Sequence, residues 1–123
     1  MSIEREDAVL SPDEVRAAIG VVTDMADDLG YAIAVAVVDR HGDLRGVERP
    51  ATVSPRQLER ALECARAAVA RNGGSVRRGN AAALELGSGD TASRGAVAVS
   101  GGPDGFALEA CRAAAFALSR APA

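Results

Sequence analysis

A glycine-rich turn near the end of the chain has the clearest chemical potential. Residues 100–104 read Ser-Gly-Gly-Pro-Asp, after the apolar run 95–99 and before an alanine-rich stretch with helical spacing. A strand that turns through glycines into a helix gathers unpaired backbone N–H groups, and a helix N-terminus favours anions. Three interpretations stay open: a tight strand-to-helix connection, a site that holds a ligand carboxylate with help from Arg49, and a loop that binds a nucleotide phosphate.

The single histidine, His41, lies in a predicted turn over residues 39–43. Because histidines and cysteines are not clustered at ligand spacing, the sequence predicts no metal site. We expect Asp39 and Gly42 to shape this turn rather than to contact a ligand. The candidate ligand-binding residues are Arg49, Ser100, Gly101, Gly102, Asp104 and His41.

Helix signals and runs of apolar residues predict three helices and two hairpins. The first two helices start with Ser-Pro pairs at Ser11 and Ser54, and Glu14 and Gln57 stand where a capping box closes. The predicted order is helix 11–29, strand 31–38, strand 44–48, helix 54–71, polar link 75–80, strand 81–86, strand 95–99 and helix 104–119. This order indicates an α+β fold with helices packed on a mostly antiparallel sheet.

The predicted strands 31–38 and 95–99 alternate between large and small apolar side chains. Because both faces are apolar, both should be covered. The alanine side predicts either a helix that lies very close to the sheet or a shallow apolar slot. We expect residues 1–10 to form a flexible arm and residues 11–123 to form a single domain.

Composition argues against several classes of protein. The net charge is −3, arginine supplies all 14 basic residues, and aromatic residues make up only 2% of the chain. Without a basic stripe or a stacking platform, we expect no nucleic-acid partner. Since no apolar run is long enough to span a bilayer and residues 1–10 lack the apolar core of a signal peptide, we expect a cytoplasmic protein without a membrane partner. Cys64 and Cys111 fall in predicted helices and are expected to be buried free thiols.

The chain resembles the GlcG/HbpS-like family, which also includes the C-terminal domain of PduO proteins. Residues 33–44 are similar to the family's apolar strand followed by D-x-x-G-x-L, residues 61–68 to its A-x-x-K-A-x-x-A helix, and residues 96–102 to its terminal G-V-S-G-G. The chain departs from the family at Cys64, where lysine is frequent, and over residues 72–95, which lack the usual G-G-x-P.

The resemblance implies a profilin-like α+β fold, frequent homo-oligomers and, for some members, haem as the cofactor. The side chains of this chain that could ligate haem iron are His41, Cys64, Cys111 and Met25. A core made of small side chains buries little area per residue, which also favours a homo-oligomer.

Three functions agree with these observations. The leading interpretation is a binding protein of GlcG/HbpS type that holds haem or another flat or carboxylated small molecule. The second is a cofactor-independent enzyme in which the same site polarises a carbonyl or carboxylate and Asp39, Asp104 or His41 moves a proton. The third is a structural or accessory subunit that assembles through its small-residue faces. A buried ionisable residue beside the turn at Ser100 would favour the enzyme.

Overall fold

The structure is a computed structural model that describes residues 9–71, 74–87 and 93–120. These residues form α1 (Pro12–Leu29), β1 (Ile33–Asp39), β2 (Leu44–Glu48), α2 (Pro55–Ala70), β3 (Ser75–Arg78), β4 (Ala81–Leu86), β5 (Gly95–Gly101) and α3 (Phe106–Arg120). The strands pair antiparallel in one open sheet, in the spatial order β2-β1-β5-β4-β3. The predicted α+β class and antiparallel sheet are confirmed.

The capping signals at the start of α1 act as predicted. The Ser11 hydroxyl accepts the Glu14 N–H at 3.1 Å, and a Glu14 carboxylate oxygen accepts the Ser11 N–H at 3.0 Å. These two bonds satisfy donors that an uncapped helix would leave unpaired. The helix ends at Gly30, which takes the left-handed conformation that glycine adopts without steric cost.

The two faces of the sheet are covered by different helices. Large side chains of β1 and β5, with α1 and α3, form one core cluster that includes Ile33, Val35, Val37, Val97 and Val99. Alanines of β1, β4 and β5, with α2, form the second cluster, which includes Ala36, Ala81, Ala83, Ala96 and Ala98. A helix that lies close to the sheet therefore covers the alanine face. Of the two alternatives that the sequence leaves open, the shallow slot is wrong.

The prediction that residues 75–80 form a polar link is wrong for residues 75–78. Residues 75–78 form β3, which pairs with β4 through a hairpin at Gly79 and Asn80. Only Val76 points into the core, and the other side chains of β3 are exposed. A short edge strand that carries charged side chains resembles a loop in the sequence, because such charges protect sheet edges from pairing with other chains.

Three element boundaries that bear on the site differ from the prediction. Strand β5 ends at Gly101 rather than at residue 99, so Ser100 and Gly101 belong to the strand and not to the turn. Strand β1 starts at Ile33 rather than at Tyr31, whose ring instead packs edge-on against Phe106 with the ring centres 5.0 Å apart. Helix α3 starts at Phe106 rather than at residue 104. The turn before α3 thus places Phe106 against Tyr31, just before the start of β1.

An ion pair connects the segment before β5 to the start of α1. An Arg94 Nη2 donates to a Glu14 carboxylate oxygen and, at 3.2 Å, to the Val9 carbonyl. Leu10 is buried in the core, while residues 1–8 of the predicted arm lie outside the described residues. Partial burial raises the pKa of Glu14, but the bonds from the Ser11 N–H and from Arg94 outweigh it, and the pKa lies below its usual value.

This pKa shift predicts acid sensitivity. Because folding lowers the Glu14 pKa, the interaction stabilises the protein at pH values above the ordinary pKa of 4.5, and the contribution is lost as the pH falls through the folded-state value. Glu14→Gln should be less stable than the wild type at neutral pH, and the difference should shrink in acid. Urea denaturation from neutral to acidic pH measures both effects. Glu59→Gln, at an exposed position of α2, is the matched control, and an equal pH dependence in the two variants would contradict the prediction.

The close approach of α2 predicts that the alanine face is intolerant of larger side chains. Ala98 lies on the central strand β5, is fully buried, and pairs with Ala36 and Ala83. Ala98→Leu should lower the free energy of unfolding by about 1–3 kcal/mol, because an extra branched side chain has no space under α2. Chemical denaturation measures the loss. Ala17→Leu on the exposed side of α1 should have a near-zero effect, and equal effects at both positions would contradict a tight interface.

Candidate functional site

The turn between β5 and α3 depends on Gly101. Its φ of 125° is rare for L side chains, and an added Cβ would lie 2.8 Å from both the Ala32 carbonyl oxygen and Gln57 Nε2. The Gly101 N–H donates to the Asn80 carbonyl at 3.1 Å. Gly102 packs against the ring of Phe106, the first residue of α3. Steric and hydrogen-bonding demands inside the protein therefore account for the glycines here.

Ser100 is a buried polar residue on an alanine face. Its side chain has no solvent exposure, and its hydroxyl has no hydrogen-bond partner among the described residues. On the neighbouring strands it lies between Ala34 and Ala81. Strand alternation directs it to the side of Ala96 and Ala98, which α2 covers. An unpaired buried hydroxyl is costly, so this position either carries a stability penalty or serves a ligand.

Gln57 reaches this position from the first turn of α2. Its side-chain amide donates to the Ser100 carbonyl at 3.1 Å, while its backbone N–H donates to the Ser54 hydroxyl at 3.3 Å. The expectation that the Gln57 side chain closes a capping box is therefore wrong, because the amide bonds to β5 instead. Sequence reasoning missed Gln57 as a site residue, and its polar side chain at the start of an otherwise alanine-rich inner face was the available signal.

Arg49 lies at the same end of the sheet as Ser100. Glu48 pairs with Val35, which pairs with Val99, so the next residue along β2 is level with Ser100, two strands and roughly 10 Å away. One Arg49 Nη donates to the Val53 carbonyl in the loop before α2, and the residue is exposed. The guanidinium is thus held near the first turn of α2 and keeps further donors for a ligand.

Of the remaining predicted site residues, Asp104 is exposed in the turn that precedes α3. His41 lies at the opposite end of the sheet, beyond Asp39. Because Asp39 lies five positions after Ala34 along β1, the two ends are about 17 Å apart. The structure therefore brings Arg49, Ser100, Gly101, Gly102 and Asp104 to one end of the sheet and His41 to the other.

Hydrogen bonds within the turn after β1 account for its residues. An Asp39 carboxylate oxygen accepts the N–H groups of His41 at 2.8 Å and Asp43 at 3.1 Å. From α2, the Arg66 Nε–H donates to the Gly42 carbonyl at 3.0 Å. Asp39 and Gly42 shape the turn, as predicted. The His41 ring is exposed to solvent there.

The two thiols are buried and lie on opposite faces of the sheet. Cys64 belongs to the cluster under α2, and Cys111 to the cluster under α1 and α3. Burial raises the pKa of Cys64, against the opposing effect of Arg78, and burial raises the pKa of Cys111 to about 12. The Cys111 thiol donates to the Val97 carbonyl at 3.4 Å. Both are protonated core residues rather than nucleophiles at neutral pH.

The surface of the described residues includes a groove and a smaller hollow. A groove of about 490 Å³ runs between α1 and β2, and its walls include Val15, Arg16, Ile19, Arg45, Val47 and Glu48. A hollow of about 300 Å³ lies where α2 meets the β3–β4 hairpin, between two arginines and Glu63. The groove has the volume of ligand pockets, which span about 300–1,000 Å³. Its polar rim contains residues that the sequence did not indicate.

Metal and membrane functions lack structural signs in the part of the chain that the structure describes. Over residues 9–71, 74–87 and 93–120, the acidic, histidine and cysteine side chains do not gather in a group of three or more that could hold a metal ion. Among those same residues, no helix combines the length and the apolar character that a membrane crossing requires.

Comparison with known proteins identifies the fold. No family model and no curated protein matches the sequence. The solved structure of Klebsiella pneumoniae protein ORFY, of the DUF336 family, matches with a TM-score of 0.76 at 18% identity over 91% of this chain and 92% of that one. The PduOC:heme complex matches with a TM-score of 0.72 at 19% identity over 89% and 94%, and HbpS with 0.68 at 20% over 89% and 90%. The fold implied by the resemblance to the GlcG/HbpS-like family is confirmed.

The geometry at Gly101 predicts a specific sensitivity. Gly101→Ala should lower the free energy of unfolding by about 1–3 kcal/mol, because the backbone is strained for alanine and the methyl group meets the Ala32 carbonyl. Gly20→Ala is the matched control, since this helical glycine has open space around its Cβ position. It should be neutral or stabilising by up to about 1 kcal/mol. Thermal and urea unfolding measure both, and a Gly101 variant as stable as the control variant would contradict the steric account.

Proposed function

We propose that this chain is a small-molecule-binding protein of the GlcG/HbpS type, whose ligand carries a carboxylate and binds at the end of the sheet formed by Ser100, Gln57 and Arg49. The observation that carries the proposal is the Ser100 hydroxyl, buried and without a partner among the described residues. Natural proteins usually pair such groups, and functional sites are one place where an unpaired group persists.

The groups around Ser100 suit an oxygen-rich ligand. The Ser100 hydroxyl can donate to a carboxylate oxygen, and the Gln57 amide has a second N–H beside the one that bonds to the Ser100 carbonyl. Arg49 would approach from the loop before α2 and supply a charge-assisted bond. The N-terminus of α2 adds its favourable dipole for an anion.

Access to Ser100 requires a local movement, because the side chain is fully buried. The first turn of α2 lies at this end of the sheet, because Gln57 bonds to the Ser100 carbonyl, and the loop over residues 49–54 leads into that turn. The loop is held by the bond from Arg49 to the Val53 carbonyl, and the first turn by the bond from Gln57 to β5. A ligand carboxylate would bond to the remaining donors of both side chains once these elements have moved, so binding and opening would be coupled.

Haem suits this chain less well than a smaller carboxylate. Cys64 and Cys111 are fully buried thiols, and Met25 packs against the core under α1. His41 is exposed but lies at the far end of the sheet from Ser100. None of these four side chains is among the residues that line the described groove and hollow. Three of these donors therefore lie in or against the core and His41 is distant from Ser100, so the site proposed here suits a smaller carboxylate better than haem, although a structural neighbour was solved as a heme complex.

The other two candidate functions, a cofactor-independent enzyme and a structural or accessory subunit, have less support. The enzyme would be favoured by a buried ionisable residue beside the turn, but Ser100 is the polar side chain in the described core and Asp104 is exposed. Assembly through the small-residue faces conflicts with α2, which covers the alanines. Self-association through another surface remains part of the proposal, because the core is made of small side chains.

The proposal predicts opposite effects of Ser100→Ala on stability and on binding. Without ligand, the variant should be more stable by about 1 kcal/mol, because a buried unpaired hydroxyl is removed. Thermal shift with acetate, lactate, benzoate and haemin identifies a carboxylate that stabilises the wild type. Ser100→Ala should weaken binding of that carboxylate, and Arg49→Ala should weaken it by about 1.5–3 kcal/mol.

Arg112→Ala, at an exposed position of α3, is the matched arginine control and should bind as the wild type does. Unchanged affinity in both site variants would remove this end of the sheet from the ligand site. If no carboxylate in the panel shifts the melting temperature, the binding proposal itself fails. A saturating Soret band that His41→Ala abolishes would instead establish haem binding at the opposite end.

A further inference from the structure

The groove between α1 and β2 has an apolar floor on the face of the sheet opposite α2. Gly46 of β2 pairs with Val37, whose side chain belongs to the core cluster under α1 and α3. An added Cβ at Gly46 would lie 2.5 Å from Val15 Cγ1 and 3.0 Å from Ile19 Cδ1, so α1 packs directly on the strand here. This seam closes the bottom of the groove, which has a volume of about 490 Å³.

Gly20 leaves the helical wall of the groove open. Pro12, Arg16, Gly20 and Thr23 line the groove and recur at three- or four-residue spacing, so they form one stripe along α1. Glycine inside a helix is less favourable than alanine. Gly20 lies in helical backbone, and a Cβ there would meet no atom of the described residues within 4 Å. The packing of the fold therefore does not require a glycine at this position, whereas an open groove does.

Two arginines lie at one end of the groove. Helix α1 begins where β1 ends, because Glu14 bonds to Arg94 just before β5, and the start of β5 pairs with the end of β1. Arg16 follows early in α1 and lines the groove. Arg45 comes to the same end, since it forms an ion pair with Asp39 at 3.8 Å. Arg45 occupies the irregular position of the β1–β2 pairing, and such bulges redirect side chains.

Both arginines keep donors for a ligand. Arg16 forms an ion pair with Asp13 on the surface, where the two side chains are 73% and 89% exposed, and such pairs contribute little to stability. The separation of 3.8 Å between Arg45 and Asp39 is longer than a hydrogen bond. Because each guanidinium carries five N–H donors, both side chains can bind a carboxylate without the loss of these contacts.

The other end of the groove carries an acidic side chain. Glu48 pairs with Val35, so strand alternation directs the Glu48 carboxylate to the face that α1 covers. Within the described part of the chain, Glu48 has no ion pair. Thr23 lines the same end, and the last turn of α1 beyond it contains Asp27 and Asp28 and no basic residue. Since a helix C-terminus also favours positive charge, this end of the groove suits a cation.

The two walls separate the basic end from the acidic end by the same distance. Arg16 and Thr23 are seven positions apart in α1, which is roughly 10 Å along a helix. Arg45 and Glu48 are three positions apart in β2, which is also roughly 10 Å along a strand. The groove is therefore basic at one end, apolar along its floor and acidic at the other end.

We infer that this groove binds a linear ω-amino acid. The ligand carboxylate bonds to Arg16 and Arg45, its ammonium bonds to Glu48, and its methylene chain lies over Val15 and Ile19. In its extended form, 6-aminohexanoate separates its two charges by about 8 Å, which the flexible arginine and glutamate side chains can bridge. An α-amino acid cannot engage both ends, because one carbon carries both of its charges.

The inference goes beyond the proposed function and does not depend on it. Ser100 and Gln57 lie on the side of the sheet that α2 covers, whereas the groove lies on the opposite face. Ser100→Ala should therefore bind 6-aminohexanoate as the wild type does. The two sites can fail separately, because each has its own ligand and its own variants.

Titrations followed by amide NMR spectra test the groove with four matched probes. These are 6-aminohexanoate, hexanoate without the ammonium, hexylamine without the carboxylate, and glycine without the separation of charge. We expect 6-aminohexanoate to give saturable shifts at the amides of Gly20, Thr23 and Gly46. Each of the other probes should bind about tenfold more weakly or worse, because it loses a charge-assisted bond at one end.

Gly20→Leu fills the groove without harm to the helix. This variant should lose 6-aminohexanoate binding, while its melting temperature should equal or exceed that of the wild type, because leucine is a better helix former than glycine. Ala17→Leu is the matched control, since Ala17 is exposed on α1 and does not line the groove. It should bind as the wild type does.

Glu48→Gln separates the two ends of the ligand. The variant should bind 6-aminohexanoate about tenfold more weakly but bind hexanoate as the wild type does, because only the ammonium loses its partner. Glu59→Gln, at an exposed position of α2, is the matched control. The inference is overturned if 6-aminohexanoate gives no saturable shift, if hexanoate or hexylamine binds as tightly, or if the folded Gly20→Leu variant binds as the wild type does.

Discussion

The close packing of α2 on the alanine face of the sheet is the constraint on which the rest of this structure depends. Only alanines at positions such as Ala36 and Ala98 allow the helix to approach the central strands. Once there, α2 reaches both ends of the sheet: Gln57 donates to the Ser100 carbonyl, and Arg66 donates to the Gly42 carbonyl. One helix thus covers a core face, supports the turn before α3 and anchors the first hairpin.

The same packing explains why the Ser100 hydroxyl is buried and has no partner among the described residues. The hydroxyl occupies a position that alanine fills elsewhere on this face, and α2 removes it from water without offering it a partner. Such a hydroxyl either lowers the stability of the fold without a functional benefit, or it finds a partner in a second state in which the first turn of α2 has moved. The charge of Arg49, held nearby in the loop before α2, favours an anion as the partner of that second state.

The opposite side of the sheet has a different architecture. Helices α1 and α3 pack on the valines of β1 and β5, and the groove lies between α1 and the edge strand β2. Sequence spacing could not reveal it, because its two walls meet only through the register of β2 on β1 and the lack of a side chain at Gly46.

The sequence by itself determined the local elements. The cap at Ser11, the glycine stop at Gly30 and the alternation of β1 predicted helices, strands and fold class, because capping and alternation act over a few residues. Tertiary structure alone decided that 75–78 is a strand, that Gln57 bonds to a residue 43 positions away, and that His41 lies apart from Ser100. These outcomes depend on strand order and on which helix covers which face, and contacts between distant segments leave no periodic pattern in either segment.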